Sequence, residues 1–326
     1  MRERAYAALL SRYCGVVDNS SHRHPPTPVV SLRRPIALAL SGGGAQGAAQ
    51  AGAAAALIRQ GLVPDLLVGT SVGAWNGAWL ASGATEEQAR RLLALWLDPD
   101  VRSLFRGLVR GFVGAVARKR IAALGDARLR RLLDRSFGEA AFDDLMVPFA
   151  CAAVDMLTAE LVYLDRGRVS DAVRAASAIP AVLPPVVMGG RLLADAGFVD
   201  NFGVGEALRR GARSIILIDA SVGQLDRVPS CIPSMLDRAN LVTRIHQRAQ
   251  AQRTADAAGA ILEVLEVAGH GTVLDFSSAA AQLAYGREVA ERWLGASGRI
   301  APGRSSALRI PLDARGNAVS AVLAPA

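Results

Sequence analysis

Residues 69–73 are Gly69-Thr70-Ser71-Val72-Gly73, a G-x-S-x-G motif between the apolar run 66–68 and an Ala- and Trp-rich helical pattern at 74–81. A strand that turns sharply into a helix can hold a serine in a strained backbone conformation, with its Oγ exposed at the edge of a sheet. Side chains at the two glycine positions would clash in so tight a turn. The motif therefore predicts a nucleophilic Ser71. The alternative is an ordinary glycine-rich turn in which Ser71 caps the helix.

A second glycine-rich loop precedes this motif. Residues 35–40 are predicted to form a buried strand, and they are followed by Ser41-Gly42-Gly43-Gly44-Ala45-Gln46-Gly47. The spacing of Gly42, Gly44 and Gly47 matches the dinucleotide fingerprint G-x-G-x-x-G. That fingerprint needs an acidic residue after the second strand, whereas the nearest candidate, Asp65, comes before it. We therefore favour the other use of such a loop, in which backbone N–H groups form an oxyanion hole.

A carboxylate at the end of a later strand is the candidate base. Asp195 follows the apolar residues 192–194 and is followed by Ala196-Gly197. Considered alone, Asp195 or the nearby Asp200 could simply cap the helix that is predicted to begin near Val204.

Histidine is scarce in this chain, with four residues, of which His246 and His270 lie downstream of the candidate acid. Their order leaves a Ser-His-Asp triad open. His246 lies among Arg and Gln on a helical stretch, and His270 lies between two glycines, so neither has the setting of a catalytic histidine. A two-residue Ser–Asp arrangement fits the sequence better.

Taken together, these motifs resemble those of the patatin-like phospholipases, a family of lipid acyl hydrolases with a Ser–Asp dyad. The family order is a glycine-rich oxyanion loop, G-x-S-x-G, and then D-G-[AG]; the segments 176–186 and 198–204 also resemble the family's approach to and exit from the acid. The resemblance covers residues 35–220. It implies that Ser71 is the nucleophile, Asp195 the general base, and the backbone of Gly42, Gly43 and Gly44 the oxyanion hole. The remaining motif glycines are Gly47, Gly69, Gly73 and Gly197.

Two positions depart from the family pattern. The family loop usually has Arg or Lys just before its last glycine, where this chain has Gln46. A missing cation affects how the loop is held or how it meets an anionic head group. The acid motif is Asp-Ala-Gly, and Ala196 would be strained by about 1 kcal/mol if this position required positive φ.

The order of the predicted elements indicates an α/β fold. Strands are predicted at 35–40, 66–70, 147–155, 159–164, 190–195, 213–219 and 260–267, alternating with helical stretches. This pattern, like the family resemblance, predicts a three-layer α/β/α domain with a mostly parallel central sheet, and the third and fourth strands could instead form a hairpin. We expect an N-terminal arm at 1–33, one patatin-like domain at 34–298, and an irregular tail at 299–326.

Cysteine spacing, apolar run length and net charge limit the cofactors, location and binding partners expected of this chain. Cys14, Cys151 and Cys231 form no disulfide framework and no metal-ligand motif, so we expect a reducing, cytoplasmic location and neither a metal nor a cofactor. No apolar run is long enough for a transmembrane helix. The net charge of +8 comes from scattered arginines with few aromatics, which does not favour nucleic acid. An anionic membrane surface, contacted peripherally, is a better partner for a lipid hydrolase with this charge.

Residues 101–120 supply a candidate for that contact. Apolar residues recur at helical spacing, with Arg102, Arg106 and Arg110 opposite them. Two interpretations fit this stripe: 101–135 forms lid or membrane-contact helices, or the stripe packs on the protein's own core, which is the favoured one. The expected function is hydrolysis of phospholipids or other acyl esters, and the alternative is a catalytically impaired lipid-binding relative.

Overall fold

One eight-stranded sheet organises the protein, whose computed structural model describes residues 32–221, 228–268 and 276–297. The strand order is β5-β6-β3-β2-β1-β7-β8, and β4 also pairs with β3. The strands are β1 (Ile36–Leu40), β2 (Leu66–Thr70), β3 (Phe149–Asp155), β4 (Leu161–Leu164), β5 (Val186–Met188), β6 (Arg191–Asp195), β7 (Ser214–Asp219) and β8 (Ile261–Glu266). The predicted arm 1–33, apart from its last two residues, and the predicted tail 299–326 lie outside the described residues.

Strands β3, β2, β1, β7 and β8 run parallel, whereas β4, β5 and β6 join by antiparallel pairing. The prediction of a mostly parallel α/β sheet is therefore confirmed, and the hairpin alternative is correct for β3 and β4. Strand β5 was missed because its three residues directly follow Pro184-Pro185 and are too few to show alternation.

Ten α-helices surround the sheet in the described part of the chain, and none of these helices is long and apolar enough to cross a membrane. They are α1 (Gly47–Arg59), α2 (Val72–Ala81), α3 (Glu86–Leu97), α4 (Pro99–Ser103), α5 (Leu108–Ala117), α6 (Ala127–Phe137), α7 (Val169–Ala176), α8 (Val204–Arg209), α9 (Ile232–Ala257) and α10 (Ala279–Ser297).

Both faces of the sheet are buried, as the period-2 direction of strand side chains requires. Leu38 and Leu40 of β1 pack into a core with α1, α2 and α3. Ala37 and Ala39 of the same strand face the opposite side, where they meet α8 and α9. The three-layer architecture follows from this alternation, and it leaves the carboxyl ends of the parallel strands as the edge where a site can form.

The helical spacing over 101–120 does not correspond to one continuous helix. Helix α4 ends at Ser103, α5 begins at Leu108, and between them Gly107 adopts a left-handed conformation with φ of 86°. The apolar stripe divides accordingly. Val101 is fully buried, whereas the later residues Phe112, Val113 and Val116 are exposed. The first half of the segment packs on the core and the second half presents apolar side chains to solvent.

Candidate active site

Ser71 lies on the sharp turn from β2 into α2. Its φ of 55° and ψ of −125° are a strained combination for a residue with a side chain, as expected for a nucleophile elbow. A Cβ added at Gly69 would lie 2.4 Å from the Gly73 carbonyl oxygen, and one added at Gly73 would lie 2.1 Å from the Leu40 carbonyl oxygen. The two glycines therefore allow the turn to pack against β1.

Strand β3 brings Asp195 to Ser71. Thr70, the last residue of β2, pairs with Ala152 of β3, and Asp195, the last residue of β6, pairs with the next residue, Ala153. Strand β4 occupies the other edge of β3 over the same stretch. Because a strand has only two hydrogen-bonding edges, β2 and β6 share one of them and meet end to end. The serine and the aspartate therefore come together despite their distance in sequence.

Asp195 is 5% exposed, and its carboxylate accepts a hydrogen bond from the Gly197 N–H at 2.8 Å. The Ser71 side chain lies close enough to lower the pKa of this carboxylate as a hydrogen-bond donor. Burial raises the pKa of Asp195 to about 6, although both hydrogen bonds and the positive charge of Arg244 oppose the rise. A carboxylate with a pKa near 6 is a stronger base than an ordinary one and is still ionised at neutral pH.

This pKa predicts the pH dependence of any reaction that uses Asp195 as a base. Because the base must be deprotonated, kcat/KM for a neutral soluble ester should rise about tenfold per pH unit below pH 6 and level off above pH 7. Rates measured from pH 4.5 to 8.5 check this, and His246→Ala should give the same profile. A rate that is flat down to pH 4.5 would rule out a base of this kind.

The glycine-rich loop lies directly against the elbow. A Cβ on Gly42 would come 3.0 Å from the Ser71 Cβ, and one on Gly43 would come 2.3 Å from the Ala220 carbonyl oxygen. Gly43 precedes a 3-10 turn, Gly44–Gln46, that runs into α1. The first N–H groups of a helix have no acceptor within it. The backbone of the loop therefore lies beside Ser71, which is the position that an oxyanion hole requires.

A buried network of amide side chains supports the loop. Trp96 Nε1 donates to Asn76 Oδ1 at 2.9 Å, and Asn76 Nδ2 donates to Gln50 Oε1 at 3.0 Å and to the Gly47 carbonyl at 2.9 Å. Gln50 Nε2 donates in turn to the Ser41 carbonyl at 3.0 Å. The network ties both ends of the loop to α2 and α3. Sequence analysis missed it, although isolated amides in the apolar helical runs of α1 and α2 were a usable signal.

The two departures from the family pattern have different outcomes. Gln46 is buried, with 4% of its surface exposed, so an arginine there would place a guanidinium in the interior. Ala196 does not adopt positive φ, and it packs fully buried beside Ala152, Val154 and Ala194. The strain considered for this residue therefore does not arise.

Two pockets meet at Ser71. The first is lined mainly by hydrocarbon side chains. These are Val72, Trp75, Leu104, Phe105, Leu129, Ile179, Leu183 and Phe276. The lining comes from α2, from α6 and from the segment that follows α4, and its apolar character suits an acyl chain.

The second pocket has a volume of about 350 Å³ and is more polar. Ser71, Asp195 and the three loop glycines line one side of it, and Asn240, Thr243 and Arg244 of α9 line another. Gly44, Ser71 and Ile179 border both pockets. Arg244 was missed because nothing in the sequence around it sets it apart from the other arginines of α9.

The other residues considered from sequence lie elsewhere. His246 is exposed on α9 and lines neither pocket, and His270 lies outside the described residues. Asp65 is at the start of β2, where it accepts a hydrogen bond from the Ile36 N–H at 2.6 Å, so it is placed for structure and not for a nucleotide. Asp200 accepts from the N–H groups of Phe202 and Gly203 in the turn before α8. The N-cap of α8 is Gly203 and no side chain caps the helix, so the capping role considered for Asp195 or Asp200 is wrong.

The site therefore combines three features at one edge of an α/β sheet: a serine on a sharp strand-to-helix turn, a buried carboxylate next to it, and a glycine-rich loop. The chain belongs to the patatin-like phospholipase family, whose profile matches residues 38–208, more than half of its 326 residues. The expected family is confirmed, and the match contains all three motifs.

Individual relatives are more distant. The chain is 28% identical over 201 residues to lysophospholipase nte1 of Aspergillus terreus, covering 59% of this chain and 12% of that protein. It is 33% identical over 175 residues to an uncharacterized NTE family protein of Mycobacterium bovis, covering 51% and 43%. The chain thus spans less than half of the length of either relative. Its fold resembles the crystal structure of VipD from Legionella pneumophila with a TM-score of 0.49 and 14% identity, covering 82% and 68% of the two chains.

Proposed function

We propose that this chain is a lipid acyl hydrolase of the phospholipase A, lysophospholipase or general esterase type, acting through an acyl-enzyme on Ser71. One observation carries the proposal: Ser71 and the buried Asp195 line the same polar pocket, at the point where it meets an apolar pocket at Ser71. Membership of the patatin-like phospholipase family and similarity to a fungal lysophospholipase support it.

Acylation uses the serine, the aspartate and the loop. Asp195 accepts the hydroxyl proton as Ser71 Oγ attacks the ester carbonyl carbon, and the carbonyl electron pair moves onto oxygen. Backbone N–H groups of Gly42, Gly43 and Gly44 stabilise that oxyanion. When the tetrahedral species collapses, the bond to the leaving alcohol breaks and Asp195 returns its proton to the departing oxygen.

Deacylation reverses the roles with water as the nucleophile. Asp195 removes a proton from a water molecule, which attacks the acyl carbon while the same N–H groups stabilise the new oxyanion. Collapse breaks the bond to Ser71 Oγ, which takes the proton back from Asp195. The fatty acid then leaves, and serine and carboxylate are restored.

Hydrolysis of a short-chain nitrophenyl ester tests the proposal, together with labelling by a fluorophosphonate probe. We expect turnover and labelling of the wild-type protein at Ser71. The departure at Gln46 motivates the alternative of a lipid-binding relative without catalysis. Lipid binding without turnover or labelling would favour that alternative.

We also propose that α5 contacts an anionic membrane. Phe112, Val113 and Val116 are 52%, 67% and 69% exposed, an unusual condition for three large apolar side chains within five residues. The preceding Leu104 and Phe105 line the apolar pocket, so a bilayer that contacts α5 would lie close to the pocket's entrance. Exposed Arg106 and Arg110 flank this surface and suit acidic lipids.

Changing Arg102, Arg106 and Arg110 together to Gln should weaken binding to anionic vesicles by roughly tenfold to hundredfold, taking about 1 kcal/mol per basic residue near the surface. Wild-type binding should also weaken with added salt, because the Debye length is only about 8 Å at physiological ionic strength. Co-sedimentation with vesicles at low and high salt measures both effects.

A variant with the same charge change elsewhere serves as the control. Arg90, Arg91 and Arg253 are exposed on α3 and α9, and replacing them with Gln should leave vesicle binding near the wild-type value. Hydrolysis of a small soluble ester should be nearly unchanged in both triple variants. Equal vesicle binding by all three proteins at low salt would reject the membrane role of α5.

A further inference from the structure

Arg244 is a cation in the polar pocket that the proposed chemistry does not use. It lies on α9, far from the glycine loop and the elbow in sequence, yet it lines the pocket that contains Ser71 and Asp195. Its charge is close enough to lower the pKa of Asp195. A positive side chain is therefore directed at the space next to the nucleophile.

The guanidinium of Arg244 has few partners within the protein. Its Nη1 donates to the Ser221 carbonyl over a long 3.4 Å, and none of the described carboxylates forms an ion pair with it. Burial lowers its pKa, with the charges of Asp195, Asp219 and Asp237 opposing. Most of its five N–H donors remain for a ligand, and an anion would offset the cost of burying the charge.

Its neighbour Arg248, one turn further along α9, behaves differently. Arg248 forms ion pairs with Asp219 at 3.4 Å and with Glu266, so its charge is neutralised within the protein. In the pocket, Asn240 and Thr243 donate to carbonyl groups one turn earlier in the helix. Arg244 is therefore the cationic side chain of α9 in this pocket whose donors are left for a ligand.

We propose that Arg244 binds the phosphate of a glycerophospholipid or lysophospholipid whose acyl carbonyl lies at Ser71. This inference rests on the proposed function and specifies its substrate class. The acyl chain enters the apolar pocket, the carbonyl lies at the shared border, and the head group extends into the polar pocket towards α9. A guanidinium recognises phosphate with paired N–H donors. The cation missing from position 46 is thus supplied by a helix outside the family match.

Arg244→Gln tests the proposal when two substrates with the same acyl chain are compared. We use oleoyl lysophosphatidylglycerol and monooleoylglycerol, dispersed in the same neutral detergent at pH 8, where Asp195 stays ionised in both proteins. Loss of charge-assisted hydrogen bonds should lower kcat/KM for the phosphate-bearing lipid about tenfold to hundredfold. The loss for the neutral lipid should be under about threefold. Arg253→Gln, an exposed change on the same helix, should alter neither.

Equal losses on both lipids would overturn the proposal, because they would mean that Arg244 acts on Asp195 or on the fold and not on the head group. No loss on either lipid would overturn it as well. In the first case the activity profile should also shift to higher pH, since the removed charge lowers the pKa of Asp195.

Binding separates this inference from the proposed chemistry. Ser71→Ala protein cannot form an acyl-enzyme, so its affinity for each lipid can be measured without turnover. Adding Arg244→Gln should weaken its binding of lysophosphatidylglycerol about tenfold or more and leave monooleoylglycerol binding unchanged. If wild-type protein hydrolyses neither lipid, but adding Arg244→Gln to the Ser71→Ala protein still weakens binding of lysophosphatidylglycerol alone, the hydrolase proposal fails and the assignment of Arg244 stands. If the Ser71→Ala protein binds lysophosphatidylglycerol equally with and without Arg244→Gln, the assignment of Arg244 is rejected and the hydrolase proposal is unaffected.

Discussion

Ser71→Ala is expected to abolish ester hydrolysis, with a fall in kcat of at least about 10³-fold, because it removes the hydroxyl on which the proposed acyl-enzyme forms. The substitution removes only Oγ, and the turn is shaped by Gly69 and Gly73, so the fold should be unchanged. Single-turnover hydrolysis of a nitrophenyl ester and circular dichroism measure the two outcomes. Retained turnover, or fluorophosphonate labelling of another serine, would overturn the assignment.

Ser71→Gly separates chemistry from stability at the same position. It also lacks the nucleophile, so it should be as inactive as Ser71→Ala. Glycine adopts a φ of 55° without strain, and the variant should therefore be more stable than the alanine variant by roughly 1 kcal/mol. Thermal unfolding of the two variants gives the comparison, and equal stability would show that the turn is not strained by its side chain.

Asp195→Asn is expected to reduce hydrolysis about as much as Ser71→Ala, because it preserves the shape of the side chain and removes the base. The double variant should be hardly worse than either single variant, as expected for groups that act as a unit. His246→Ala and His270→Ala should keep most of the activity. If either histidine variant is as inactive as Asp195→Asn, a triad replaces the dyad.

The same substitution should make the protein more stable at high pH. Burial raises the pKa of Asp195 from 3.8 to about 6, so folding favours the protonated carboxyl. Its contribution to stability is full below pH 4 and is lost as the pH rises to about 6, a change of about 3 kcal/mol in the free energy of unfolding. Asparagine does not ionise, so Asp195→Asn should unfold at a higher temperature than wild type at pH 8, with the difference shrinking towards pH 4.

The parts of the fold that sequence patterns predicted are those specified locally. The strand before Ser71, the glycines of its turn and the apolar run before Asp195 all show in a few neighbouring residues. The stripe at 101–120 was misjudged because helical spacing continues across Gly107, and only the tertiary structure decides that the chain breaks there.

The rest of the site depends on contacts between residues far apart in sequence. Ser71 meets Asp195 because both strands share one edge of β3, and no local pattern contains that pairing. Arg244 looks like any other arginine on a polar helix until α9 packs beside the pocket. Gln50 and Asn76 were open to prediction, since an amide in an apolar helix needs a buried partner.

Because β2 and β6 meet end to end on β3, strand β3 sets the relative position of the two residues of the proposed dyad. Thr70, the residue before Ser71, and Asp195 pair with the adjacent residues Ala152 and Ala153, which lie about 3.3 Å apart along the strand. This register does not depend on the length of the segment between α2 and β3 or of the turn between β5 and β6. These connections can lengthen or change sequence, and so reshape the pockets, without separating Ser71 from Asp195. One residue inserted between Ala152 and Ala153 of β3 would displace the aspartate and turn its side chain to the other face of the sheet. Substrate range and catalytic alignment are therefore free to evolve independently in this fold.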